Sequence, residues 1–368
     1  MVGSVMATDL AQSGEFEVTL VDLSAANLER ARGRCPSLLT RQADLSDART
    51  ITSIASEHDV VCGALASHLG LSALEAVIAA GKPYADISFM AEDALQLDEM
   101  AKAKGVTAVV DCGVAPGMSN MQAGWGYADL DRCDRIEILV GGLPRKREWP
   151  FEYKAGFAPA DVIEEYTRES RIVEGGKTVL RPALSEPELM EFEGVGTLEA
   201  FNTDGLRSLA DTLDVPNMIE RTLRYPGHIE LMRVFRETGL FSKEPIDVGG
   251  VSVRPLDVTS ALLFPKWTYE DGEEDLTVMR VTCEGIKDGR PLRHCFELLD
   301  FYSTDAQATS MSRTTALPCA IVARLLLEGG FSEPGVFAPE ALGQEPGILE
   351  QVHSALRERG VLFRHSQS

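Results

Sequence analysis

Residues Phe16-Glu17-Val18-Thr19-Leu20-Val21-Asp22 are a short strand-forming run closed by an acid. β-branched and aromatic residues over a few positions suit a half-buried strand. Residues 24–34 then form a helix that Ser24 can cap. The same phrase recurs downstream. A short strand around 38–43 leads into Asp44, Leu45, Ser46 and Asp47, which open another helix. Asp59–Leu65 reads as a buried strand, 70–80 as a helix closed by Gly81, Tyr84–Ser88 as a strand, 91–103 as a helix and Thr107–Asp111 as a strand. Short apolar strands divided by helices predict an α/β domain, with a doubly wound parallel sheet covered on both faces.

Upstream of that run, Met1-Val2-Gly3 leads straight into a helix whose Val5, Met6 and Leu10 face a core, and Gly14 ends it. A Rossmann-type domain begins with a strand and a glycine-rich turn. Here the first strand is missing from the reading, and only Gly3 stands where the last glycine of that turn would be. A start site set too late and a true loss of the strand both fit this pattern. Gly3 would let the helix approach the sheet, whereas the turn would have offered backbone N–H groups to a pyrophosphate. Asp22 ends the next strand, where a carboxylate can accept hydrogen bonds from both adenosine ribose hydroxyls. It would repel a 2′-phosphate, which favours NAD over NADP. An ordinary solvent-facing helix cap is the competing reading of Asp22.

The chain has 368 residues, enough for two domains, with 44% hydrophobic and 25% charged residues. That composition excludes general disorder. Acidic residues number 57 against 35 basic ones, a formal charge of −22, which speaks against a nucleic-acid surface. No apolar run is long enough to cross a bilayer and no secretory leader is visible, so a cytoplasmic protein is expected. The 7 cysteines are scattered, with no disulfide framework and no zinc spacing. Cys62, Cys112 and Cys319 read as buried thiols.

Asp111-Cys112-Gly113-Val114-Ala115-Pro116-Gly117 follows a buried strand and bends the chain at the strand's carboxyl end, the ligand-binding edge of open α/β sheets. A helix over 119–129 carries Trp125 and Tyr127, and 135–142 is a strand ending in Gly141-Gly142. Residues 143–160 hold Arg145, Arg147, Trp149, Phe151, Tyr153 and Phe157, a loop suited to a substrate lid or a subunit contact. Val251–Arg254, Leu276–Glu284 and Pro291–Leu299 are strands, with a turn at Asp288-Gly289 between the last two. These elements predict an α+β second domain. Leu317, Ile321, Val322, Leu325 and Leu326 then form one helical stripe ending at Gly329-Gly330, and a last helix covers 348–359. The tail is expected to pack back on the first domain. Of the six histidines, His58, His68, His294, His353 and His365 lack partners at a metal-ligand spacing. His228 follows Arg224-Tyr225-Pro226-Gly227, a stiff approach to an imidazole that exchanges protons near neutral pH.

The Asp111–Gly117 segment, Gly141-Gly142-Leu143-Pro144, the run from Leu198 through Asn202-Thr203-Asp204-Gly205, the Arg221–His228 run and Met311-Ser312-Arg313-Thr314-Thr315 together resemble the saccharopine dehydrogenase-like oxidoreductases. Within them the resemblance is to the lysine 6-dehydrogenase branch. It implies three pieces: an NAD-binding domain over residues 1–117, an inserted substrate and dimerisation domain over 118–311, and a helical return to the first domain over 312–368. The implied reaction is the NAD-dependent oxidative deamination of the ε-amine of L-lysine to the 6-semialdehyde with release of ammonia, in a homodimer. Saccharopine or carboxy-polyamine reduction is the alternative, and a non-catalytic homologue is another. His228, Asp111, Thr203 and Asp204 are the expected catalytic residues. Arg145, Glu152, Tyr153 and Arg224 would bind substrate. Gly3, Asp22, Asp44, Ala64, Gly113 and Pro116 would bind NAD, and no metal is expected.

Overall fold

The computed structural model describes residues 2–156, 159–270 and 272–368, so Phe157 lies outside the described residues. Two compact units result. The first comprises Met1–Trp125 with Ser312–Val361, and the second Gly126–Met311 with Leu362–Ser368. The first break thus falls within a helix, beyond the expected position at 117, and the last few residues join the second unit.

The first unit opens with α1 (Val2–Gln12), β1 (Thr19–Asp22), α2 (Ala25–Arg34), β2 (Leu39–Gln42), α3 (Ala48–Ser56), β3 (Val61–Gly63), α4 (Gly70–Ala79), β4 (Tyr84–Asp86), α5 (Asp98–Lys104) and β5 (Thr107–Val109). Local caps set the helix starts. Ser24 Oγ accepts from Asn27 N–H at 3.3 Å and Asp47 Oδ1 from Arg49 N–H at 3.0 Å. The helix expected over 91–103 begins later, because Asp93 first closes a 3₁₀ turn by accepting from Leu95 N–H at 2.9 Å. From α6 (Met118–Asp129) the chain runs into the second unit.

That unit contains β6 (Arg132–Pro144), α7 (Pro159–Thr167), β7 (Ser170–Glu174), β8 (Lys177–Arg181), β9 (Glu188–Phe192), β10 (Gly196–Asn202), α8 (Leu209–Thr212), β11 (Met218–Arg224), α9 (His228–Glu237), β12 (Ile246–Val248), β13 (Val251–Val253), α10 (Pro255–Trp267), β14 (Asp275–Lys287) and β15 (Arg290–Phe301). The chain returns through α11 (Ser310–Leu327), β16 (Gly335–Phe337), α12 (Pro339–Gln344) and α13 (Ile348–Glu358), and ends in β17 (Phe363–Gln367).

All strand pairs of the first unit are parallel, as the alternation requires. They form two sheets, β1-β2 and β16-β5-β4-β3. In a doubly wound order one central strand would join them. Among the described residues no strand does so, and β1 is only half-buried along its length. The returning segment adds more than helices, since β16 pairs with β5 in the register Gly335↔Thr107. Leu74, Ile78, Ala85, Ala108 and Val109 are wholly buried in this unit.

The second unit is built on a mixed sheet with the path β17-β15-β14-β6-β11-β10-β9. Its β14–β15 hairpin turns at Asp288-Gly289, both with positive φ, as expected from the sequence. Asp275 accepts the N–H groups of Ser310 at 2.6 Å and Met311 at 2.9 Å. Tyr166, Phe201, Met232 and Trp267 lie in one buried cluster with residues of α7, α9 and α10. The tail was expected to pack on the first domain. Residues 312–361 do belong to that unit, and only β17 leaves it to pair with β15, where His365 stacks on Phe296 with ring centroids 4.3 Å apart.

Candidate active site

The expected cofactor residues lie at the carboxyl ends of parallel strands in the first unit. Asp22 ends β1, Asp44 follows β2, Ala64 follows β3, and Gly113 and Pro116 follow β5. Asp22 Oδ1 accepts from Ser24 N–H at 2.7 Å and from Asn27 Nδ2 at 3.3 Å. Asp44 takes the N–H and hydroxyl of Ser46, which hold its carboxyl below the usual range. A Cβ at Gly3 would come within 3.1 Å of the Ala64 Cβ, so α1 approaches the end of β3 as closely as a glycine permits. After β5 the chain folds back tightly. Met118 N–H reaches Gly113 O at 2.9 Å, and a Cβ on Gly117 would strike Gly113 O at 1.9 Å. Asp111 is buried there with a φ of 54°. Beneath this edge Asp86 ends β4, accepts from Ser88 N–H at 3.0 Å, and is pushed by burial to a pKa of about 6. Strand ends gathered at one edge and a close helix approach are features that suit the adenosine half of a dinucleotide.

In the second unit the structure brings Tyr153, Arg224 and His228 together. Arg224 is 2% exposed and ends β11. Its Nη2 donates to Glu165 Oε2 at 2.7 Å, its Nε to the Tyr166 hydroxyl at 3.2 Å, and its Nη1 to Leu223 O at 3.0 Å. Its guanidinium also lies 4.4 Å from the Tyr153 ring centroid. Burial works against its charge, but Tyr153, Tyr166 and Glu165 hold it protonated. His228 starts α9 behind Gly227, whose φ of 97° only glycine adopts readily. Its Nδ1 lies 2.9 Å from Phe151 O, so it carries the proton and donates to that carbonyl. Nε2 is then the acceptor for the Tyr166 hydroxyl, also at 2.9 Å. The donors therefore run in one direction, from Arg224 through Tyr166 to His228.

Two expectations need correction here. His228 does not titrate near neutral pH: burial, and next the Arg224 charge, lower its pKa to about 3. Arg224 does not hold an open fork for a substrate carboxylate, because Glu165 already balances its charge. The other expected residues lie apart from this cluster. Asp204 is paired with Arg168 at 3.3 Å and Arg171 at 2.8 Å, and Thr203 Oγ1 meets Thr222 Oγ1 at 2.9 Å. Glu152 holds Arg147 at 2.6 Å, whose guanidinium covers the Tyr225 ring. Arg145 is half-exposed, 3.3 Å from Glu274.

Residues 1–109 match the family model for the saccharopine dehydrogenase NADP binding domain, and residues 113–361 match the saccharopine dehydrogenase C-terminal domain. The chain belongs to the saccharopine dehydrogenase family. It is a saccharopine dehydrogenase-like oxidoreductase, and residues 1–109 of its first unit are the family's nicotinamide-nucleotide domain. The chain is 24% identical to a carboxynorspermidine synthase of Vibrio cholerae, over 96% of this chain and 92% of that protein. It is 21% identical to the saccharopine dehydrogenase [NADP(+), L-glutamate-forming] of Schizosaccharomyces pombe, over 90% of each. Apo saccharopine dehydrogenase (L-Glu forming) from Saccharomyces cerevisiae has the same fold, with a TM-score of 0.81 at 17% identity, covering 100% of this chain and 98% of that one.

Within this family member, sequence reasoning missed Glu165, Tyr166 and Glu220. Glu220 shares a face of β11 with Thr222 and Arg224 and is 4% exposed. A Cβ at Gly205 would overlap its carboxyl group, so that glycine makes room for the acid. Burial, then the nearby Glu165 and Asp204, raises its pKa to about 8. Its period-two spacing from Arg224 was the one available signal. Glu165 and Tyr166 had none, because their partner lies far along the chain. Among the described residues no group of three or more His, Cys, Asp or Glu could hold a metal ion, and no helix is long and apolar enough to cross a membrane.

Proposed function

We propose that this oxidoreductase acts on the carbon–nitrogen bond of an amine bearing an amino-acid arm, with NAD as cofactor, as a homodimer in the cytoplasm. The observation that carries this reading is the directed donor chain Arg224–Tyr166–His228 buried in the substrate unit of a family of dehydrogenases. The bound nicotinamide supplies the hydride acceptor or donor. Asp22, Asp44, Ala64, Gly113, Pro116 and Gly3 are the residues that would hold the nucleotide, and the Asp22 carboxylate favours a free ribose over a 2′-phosphate. Free, mostly buried thiols fit a reducing compartment.

On the protein side the reaction needs a proton moved and a charged arm held. Tyr166 donates to His228 Nε2, and the imidazole, held neutral by burial, orients that hydroxyl rather than taking up its proton. Arg224 donates to the same oxygen and limits its orientation. Arg145 and Arg147 are half-exposed but paired with Glu274 and Glu152, so a substrate carboxylate would take the place of one of those acids. Thr203 and Asp204 support the backbone of the second unit in this reading, through Thr222 and Arg171.

Two substrates compete. The relative named a carboxynorspermidine synthase, alike over nearly the whole chain, favours a carboxy-polyamine with a second charged arm. The Asp111–Gly117 and Arg221–His228 motifs favour L-lysine, whose ε-carbon would give up the hydride and whose imine would hydrolyse to the 6-semialdehyde and ammonia. The deciding experiment offers carboxynorspermidine, saccharopine and L-lysine in turn, each with NAD and with NADP, and follows reduced cofactor. Turnover of carboxynorspermidine alone supports the first, ammonia released with L-lysine the second. Tighter use of NADP than of NAD would overturn the cofactor assignment.

A further inference from the structure

Strands β12 and β13 form a two-stranded sheet of their own, paired Ile246↔Val253 and Val248↔Val251. Opposed residues of an antiparallel pair point to the same face, so these four aliphatic side chains share one. Ile246, Val248 and Val251 are 52%, 54% and 61% exposed. Every residue from 243 to 252 is exposed. A hairpin this short is marginal in water unless its apolar face is covered. The helix that follows has the same character. It buries Thr259, Leu263 and Trp267 but turns Val258 and Leu262 to solvent, at 49% and 66% exposure. The base of the arm is tied to that helix through Leu256 N–H to Ser242 O at 3.1 Å and Thr259 Oγ1 to Leu240 O at 2.7 Å. Arm and helix are thus joined at the base of the arm, and each leaves apolar side chains exposed.

We propose that the 246–253 arm and the outer face of α10 are the surface by which the chain pairs with a second copy of itself. The proposal rests on the homodimer reading and assigns that assembly its surface. Charge selects the occupant. Segment 234–262 carries Arg236, Lys243 and Arg254 against Glu237, Glu244, Asp247 and Asp257, nearly neutral in a chain of charge −22. Two such chains repel over most of their surface, so a neutral apolar patch is where they can meet. The same neutrality offers no basic cluster to a nucleic acid or an anionic bilayer. A stable interface takes about 800 Å² from each partner, more than a short hairpin supplies, so the arm needs the helix face as well. Around a two-fold axis each arm lies on the partner's copy of α10, and both contacts form at once.

Light scattering after gel filtration, over a range of protein concentrations, tests this with wild type, the pair Val248→Glu/Val251→Glu, and Leu262→Glu. The expected result is a wild-type dimer whose dissociation constant rises about 100-fold or more in either variant, the scale of lost central apolar contacts. Backbone hydrogen exchange of unmodified protein gives an independent readout, with residues 246–253 protected only at concentrations where the dimer forms. A wild-type monomer at every concentration removes the homodimer reading and this surface with it. A wild-type dimer that persists in both variants, with an unprotected arm, overturns the surface and leaves the homodimer standing. A wild-type monomer that co-floats with phosphatidylcholine vesicles gives the patch to a membrane instead.

Discussion

Three acids of the first unit and Arg224 of the second find their partners over very different distances in the chain. Asp22, Asp44 and Asp47 each accept from a backbone N–H two positions ahead. Arg224 finds Tyr166, Glu165 and Tyr153 at separations of 58, 59 and 71 residues. A local contact is written into the turn that makes it and loses little when the rest of the chain changes. The remote set exists only once sheet and helices have assembled, and it sits where solvent cannot replace a missing partner. The first region should therefore tolerate substitution and affect mainly ligand choice, whereas the second should couple stability, ionisation and turnover.

The largest expected effect tests the remote set directly. Arg224→Met leaves the Glu165 carboxylate facing an apolar side chain and should cost about 3–5 kcal/mol of unfolding free energy, the range for breaking a buried pair. Adding Glu165→Leu should recover much of that loss. Urea unfolding of the two single variants and the double variant decides it, and strict additivity would show that the pair does not act as a unit.

Turnover comes next. His228→Ala should lower the rate about 10²–10⁴-fold while leaving nucleotide affinity near wild type. Measured at one pH near neutrality beside a melting curve, a stable variant with wild-type rate would remove the imidazole from the chemistry.

Ionisation gives a smaller, signed effect. The folded pKa of Glu220 is raised to about 8, against about 4.3 for an unfolded glutamate. The folded state therefore binds the extra proton. The stabilisation is full below the unfolded value and is lost as pH rises through the folded one. His228 has the opposite sign. Its folded pKa is lowered to about 3, so stability present above about pH 6.5 falls away on acidification. Glu220→Gln should flatten the alkaline limb alone and be more stable than wild type near pH 9. Parallel stability curves for the two proteins from pH 5 to 9 would contradict the buried, protonated acid.

The smallest effect belongs to the local set. Asp22→Ala should lose about 1 kcal/mol of stability with its bond to Ser24 N–H. It should also narrow the preference for NAD over NADP by about tenfold, through loss of one charge near the ribose. Calorimetric titration with both nucleotides reads this, and an unchanged ratio would return Asp22 to a plain turn acid.

Much of the first unit was legible in the residues. Strand-end acids, Ser24 and the alternation of short apolar runs with helices are local signals, and the Asp288-Gly289 turn of the second unit is another. The Arg221–His228 run pointed to Arg224 and His228 but not to their surroundings. Nothing near Glu165 or Tyr166 marks them, because the groups that give them meaning lie on β11 and α9. Placing the tail on the first domain followed from an apolar stripe that does belong there, but β17 goes to whichever sheet edge has unpaired backbone groups, which a one-dimensional pattern does not reveal.

The sequence by itself determined the parallel, helix-covered character of the first unit, because period and capping act within a few residues. It also determined the identity of the groups able to do chemistry. Only the tertiary structure decided their state: that His228 is neutral, that Arg224 is already balanced, that Glu220 holds its proton. Burial and the distance to remote charges set an ionisation equilibrium, and both come into being when strands and helices separated by scores of residues close around the same side chains.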